Sequence, residues 1–98
     1  MQNTELEVPA NCNFDHAKKV IEQCCREEGL QITLTGSLSS YPGSTHWHFK
    51  KGRERGTLEV TIWPIKNRIW FSVQKGRTSE WIEEVIQRLK HSIESRLK

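Results

Sequence analysis

The 98-residue chain has no long apolar run. Nowhere do hydrophobic residues continue for the ~20 positions that a helix needs to cross a bilayer, and the polar stretch Met1–Glu7 does not read as a signal peptide. No membrane partner is expected. Cysteine is scarce: three, an odd number too small for a disulfide framework. Cys24 and Cys25 are adjacent, and neighbouring side chains on a helix diverge by about 100°, which argues against a bridge between them. Free thiols in a reducing, cytoplasmic compartment are the expectation, with Cys24 as a small core residue. There is no internal repeat and no low-complexity linker. The nucleophile elbow G-x-S-x-G, the phosphate loop and the dinucleotide fingerprint G-x-G-x-x-G are all missing, so the common motif-based enzyme readings have no support.

What is present is one domain's worth of periodic pattern. Residues 1–3 read as a tail, and Thr4–Val8 alternates polar with apolar as a short strand that Pro9 stops. Asn13 can cap a helix through its side-chain oxygen. Phe14, Ala17, Ile21 and Cys24 then recur at spacings of three and four, which predicts a helix over about 14–28, ended by Gly29. Four runs of period two follow. Leu30, Ile32 and Leu34 alternate with polar residues, as do Trp47 and Phe49, then Leu58, Val60 and Ile62, then Ile69, Phe71 and Val73. Short connections predict an antiparallel meander. Ile82, Val85, Ile86, Leu89, Ile93 and Leu97 mark a second helix over about 79–97, capped by Thr78 or Ser79. The expected fold is a two-layer α+β sandwich of order (β)αββββα. Its four-stranded meander becomes five-stranded if the N-terminal segment joins, and both helices pack on one face.

The remaining face would carry His46, His48, Lys50, Glu59, Thr61, Trp63, Arg68, Trp70, Ser72, Gln74, Gln31, Thr33 and Thr35. In the simplest hairpin register, His48 lies opposite Glu59, and Glu59 opposite Ser72. His46 lies opposite Thr61, Thr61 opposite Trp70, and Trp63 opposite Arg68. Directly opposed side chains are about 4.5–5.5 Å apart at Cβ. His46, His48, Trp63, Arg68 and Trp70 are the candidate recognition residues of this face, since Trp beside cations suits bases, sugars or a partner's side chains. The same face can equally be closed by the loop 36–44, by the N-terminal segment or by a second copy of the chain.

The net charge of +3 hides an asymmetry. Residues 1–49 carry three basic and six acidic side chains, residues 50–77 eight basic and two acidic, and residues 78–98 four of each. In a meander, the turn Lys51–Gly56 and the exit Lys75–Arg77 fall at the same end of the sheet. Lys50, Lys51, Arg53, Arg55, Lys75 and Arg77 are therefore the candidate anion- or nucleic-acid-binding residues, beside a helix start whose free N–H groups attract anions.

His46 and His48 share a strand face, a geometry some zinc sites use, with Glu59 as a third ligand. No closely spaced Cys/His set follows, so no metal and no cofactor is assigned. His48, Glu59 and Ser72 match a nucleophilic triad in residue type alone, because Ser72 is mid-strand rather than on a strained turn. No catalytic residue is assigned. The sequence thus points to a small non-enzymatic binding domain for nucleic acid or another polyanion. A protein-interaction or homodimer module using the Trp63/Trp70 face or a sheet edge is the alternative.

Overall fold

The computed structural model describes residues 2–98. Its elements are β1 (Gln2–Glu5), α1 (Phe14–Glu27), β2 (Gln31–Gly36), β3 (Thr45–Lys50), β4 (Leu58–Trp63), β5 (Arg68–Val73) and α2 (Glu80–Leu97). One 3-10 turn, Pro64–Lys66, joins β4 to β5, and Asn67 closes it in the left-handed region at φ 53°. The sheet is antiparallel throughout, with strand order β1-β5-β4-β3-β2. This is the expected α+β sandwich in its five-stranded form.

Local chemistry explains the helix ends. The Asn13 side chain accepts a hydrogen bond from His16 N at 3.1 Å, satisfying one free donor of α1. At the other end Gly29 takes φ 77°. Leu30 N donates to Cys25 O and Gly29 N to Arg26 O, a Schellman closure with Leu30 and Cys25 both in the core. Ser79 occupies the cap position of α2, but its side chain makes no capping hydrogen bond.

Both helices lie on the apolar face of the sheet. Ala17, Val20, Ile21, Cys24 and Cys25 of α1 and Trp81, Ile82, Val85, Leu89 and Ile93 of α2 form one buried cluster. Trp47, Phe49, Leu58, Val60, Ile62, Ile69, Phe71 and Val73 complete it from the sheet. The helices are tied to each other by Arg88–Glu28 and Arg96–Glu27 ion pairs. The indoles of this layer are anchored as well as packed. Trp47 Nε1 donates to Glu22 Oε2 at 3.1 Å, and Trp81 Nε1 donates to the Arg55 carbonyl at 2.6 Å.

Two expectations need correction. The N-terminal strand is Gln2–Glu5, not residues 4–8, and Asn3 pairs with Ser72, so residues 2 and 3 are not a tail; Met1 lies outside the described residues. Leu6 still enters the core, and Leu6 N donates to Ile69 O. The second correction concerns β2. It is exposed along its whole length, and only Leu30, just before it, is buried. Its register slips between Ile32 and Leu34: Ile32 opposes Phe49, but Leu34 opposes His48. One extra residue, a bulge at Thr33, moves everything after it to the other face. Leu34 therefore joins the polar face, and Thr35, opposite Trp47, joins the helix side. Cys24 is buried as expected, and Cys25 beside it is buried too, both as free thiols.

Candidate functional site

The register on the second face is the one expected from the alternation. His46 opposes Thr61 and Thr61 opposes Trp70; His48 opposes Glu59 and Glu59 opposes Ser72; Trp63 opposes Arg68. Strand geometry alone therefore brings two imidazoles, a carboxylate and two hydroxyls onto adjacent positions of three central strands.

These polar groups are not washed by solvent. His46 and Glu59 are each 4% exposed, and Thr61, Ser72 and Trp70 are buried too. His48 is half-buried, with 21% of its side chain open. The cover over one half of the face is the chain's own loop between β2 and β3. Hydrogen bonds from Tyr41 N to Leu38 O, Ser44 N to Tyr41 O and Leu38 N to Ser44 Oγ fold the loop on itself. Its Tyr41 ring stands edge-on to Trp63 at 4.9 Å and to Trp70 at 5.1 Å. Trp63 Nε1 donates to the Pro42 carbonyl at 2.9 Å. The Arg68 guanidinium lies 4.5 Å from the Trp70 ring and pairs with Glu5 of β1. The structure thus brings Trp63, Trp70 and Arg68 together, with Trp70 buried and Trp63 and Arg68 half-buried at the margin, rather than as an open stacking platform.

The other half is a hydrogen-bonded cluster centred on Glu59. His46 Nδ1 lies 2.7 Å from Thr61 Oγ1, and His46 Nε2 lies 3.2 Å from Glu59 Oε1. His48 Nε2 lies 3.8 Å from the same carboxylate oxygen. The two imidazole rings meet edge to face at 5.1 Å. With its proton on Nδ1, His46 donates to Thr61 and turns the Nε2 lone pair toward Glu59. With its proton on Nε2, it donates to Glu59 and accepts from the Thr61 hydroxyl. Burial pushes the His46 imidazole below its ordinary value; the Glu59 charge opposes this and His48 reinforces it. A neutral His46 beside a carboxylate leaves that carboxylate without a full counter-charge. Glu59 Oε2 is buried and, among the described residues, has no hydrogen-bond partner. Such an orphan is costly and calls for a specific reason.

No family model matches the chain, and neither the curated proteins nor the solved structures contain a match.

The cluster does not form a nucleophilic triad. Ser72, the fifth of six residues in β5, is held in regular ladder pairing between Asn3 and Glu59 rather than on a strained turn. Burial pushes the thiols of Cys12, Cys24 and Cys25 up, which disfavours the nucleophilic thiolate.

The basic residues lie elsewhere. Lys51, Arg53, Arg55, Lys75 and Arg77 are exposed, and Lys50 is half-buried at the end of β3. The two segments that carry them are in direct contact. Thr57 N donates to Arg77 O at 3.0 Å, and the Trp81 indole holds the Arg55 carbonyl. Gly56, at φ 99°, sits where a Cβ would come within 2.8 Å of Arg77 O, so only glycine permits this approach. Among the described residues, none of these six cations is in an ion pair.

The site residue missed in the sequence is Tyr41. The one signal for it was its uniqueness: it is the chain's single tyrosine, set among Ser, Pro and Gly. Nothing in its neighbours says that it folds back across two strands.

Proposed function

We propose that this protein is a small non-enzymatic binding module that contacts a polyanion, nucleic acid first, through its basic rim. The observation that carries this reading is the contact between the β3–β4 turn and the segment leading into α2. It gathers Lys51, Arg53, Arg55, Lys75 and Arg77 at one end of the sheet and, among the described residues, no carboxylate pairs with them. Unpaired, exposed cations on one rim suit phosphates spaced along a chain. The start of α2 is not itself the phosphate seat. The shallow concavity there is lined by Lys51 with Glu54, Glu80 and Glu84, and these carboxylates already sit in the field of the helix N-terminus. The polar-aromatic face contributes only at its open margin, through His48, Trp63 and Arg68.

Titration of single-stranded and duplex RNA and DNA against salt tests the reading. Binding should weaken as salt rises, with a log–log slope of about −0.9 per phosphate contact on duplex DNA. The Arg53→Ala/Arg55→Ala double variant should flatten that slope. Absence of binding at low salt would remove the proposal.

A second reading has its own observation. β2 is an edge strand of six uncharged residues, and Ile32 and Leu34 are 42% and 47% exposed on its opposite faces. Such an edge offers backbone donors and acceptors to another strand, blunted here only by the bulge at Thr33. Self-association through β2 would appear in sedimentation as a concentration-dependent dimer that Leu34→Lys abolishes. A monomer at all concentrations rejects it.

A further inference from the structure

We propose that His46, His48 and Glu59 form a binding site for one divalent transition-metal ion, with zinc the first candidate. One ligand atom from each of the three lies within 4.8 Å of the other two. Zinc–ligand bonds of about 2.0–2.1 Å at tetrahedral angles put neighbouring donor atoms about 3.3 Å apart. The separation of His46 Nε2 from Glu59 Oε1, 3.2 Å, already matches, and that of His48 Nε2, 3.8 Å, closes with a small rotation of a half-exposed ring.

The donors sit on paired central strands, where their backbone positions are fixed. His46 and His48 project from the same face of β3, and Glu59 is the direct cross-strand partner of His48 on β4. Two imidazoles and one carboxylate suit zinc and its neighbours in the first transition row. Calcium and magnesium prefer oxygen ligands throughout.

Two further observations point to a ligand rather than to a self-sufficient hydrogen-bond cluster. Glu59 is more than nine-tenths buried and keeps an oxygen with no partner, which a cation would satisfy. Thr61 Oγ1, 2.7 Å from His46 Nδ1, is placed to accept a hydrogen bond from an Nδ1–H, which leaves the Nε2 lone pair free for a metal. Second-layer hydrogen bonds of this kind orient histidine ligands in metal sites. The half-open His48 side gives the ion a path in. With only three protein ligands, a fourth position would remain for water or for an external group.

The test uses the full chain stripped with EDTA and titrated with zinc chloride against a chromophoric chelator. One ion should bind per chain. His48→Ala should weaken binding by at least about tenfold, as should Glu59→Gln. Thr61→Val, which removes only the second-layer bond, should cost about 10- to 100-fold. The paired change His16→Ala/His91→Ala, at the two remaining histidines, both exposed on the helices, should leave binding unchanged. Melting curves of each variant, recorded without metal, show that it is folded. His48→Ala decides if a buried variant is not, because its ring is partly in solvent. No stoichiometric uptake at micromolar chain and metal, uptake that survives His48→Ala, or uptake lost with His16 and His91 would each overturn the proposal.

Discussion

The sheet face under the helices and the face under the 37–44 loop use the same strands, alternate residue by residue and are both largely closed to water. They differ in what they bury. The helix side holds Trp47, Phe49, Leu58, Val60, Ile62, Ile69 and Phe71, with the indole of Trp47 tied to Glu22. The loop side buries His46, Glu59, Thr61, Ser72 and Trp70, the last of them against the loop's Tyr41. Apolar burial stabilises in rough proportion to area, whereas a buried carboxylate costs free energy unless it is fully paired. The first face therefore accounts for stability. The second contains an arrangement that stability alone does not call for, the unpartnered Glu59 oxygen. Local rules are broken in this way chiefly where a site is being held for a ligand.

The contrast can be broken first on the helix side. Phe71→Ala empties a fully buried position and should cost about 3–5 kcal/mol in denaturant unfolding. Ser72→Ala, its neighbour facing the other way, should cost about 1 kcal/mol or less. Equal costs would erase the distinction between the faces. Tyr41→Ala comes next. It removes two edge-to-face contacts, each worth about 0.5–1.5 kcal/mol, and should red-shift tryptophan emission as Trp63 and Trp70 meet water. An unchanged spectrum would mean that the loop is not the cover. The smallest effect is expected at the exposed edge. Leu34→Lys should change monomer stability by no more than about 0.5 kcal/mol, because nothing packs over β2. A large loss would show that the strand is covered in solution.

Much of this was legible in the sequence, and the rest was hidden for definite reasons. Period-two alternation with two short hairpin connections sets the register, so the rows His48–Glu59–Ser72 and His46–Thr61–Trp70 follow from the alternation itself. The bulge at Thr33 could not. Gln31 to Thr35 alternates without a break, and an extra residue in one strand shows only against its partner. The closure of the polar face was also hidden. Alternation tells which residues share a face, but whether water reaches it depends on the path of a loop without periodicity. The N-terminal strand was displaced for a related reason. Thr4–Val8 alternates, yet the backbone pairs to β5 through Gln2–Glu5, and Leu6 turns into the core. The gathering of basic residues followed from the meander itself, which sets the turn Lys51–Gly56 and the exit Lys75–Arg77 at one end of the sheet.

The most direct measurement of the polar face's purpose is the melting temperature of Glu59→Gln against the wild type, both in chelator. If His46 is neutral and Glu59 is a carboxylate held for a ligand, glutamine keeps the acceptor for His46, removes a buried charge and strands no cation. Its melting temperature should then equal or exceed that of the wild type. A fall corresponding to about 3–5 kcal/mol, the usual result of removing one partner of a buried ion pair, would show that His46 and Glu59 are a structural salt bridge. That result would contradict the assignment of this face to function.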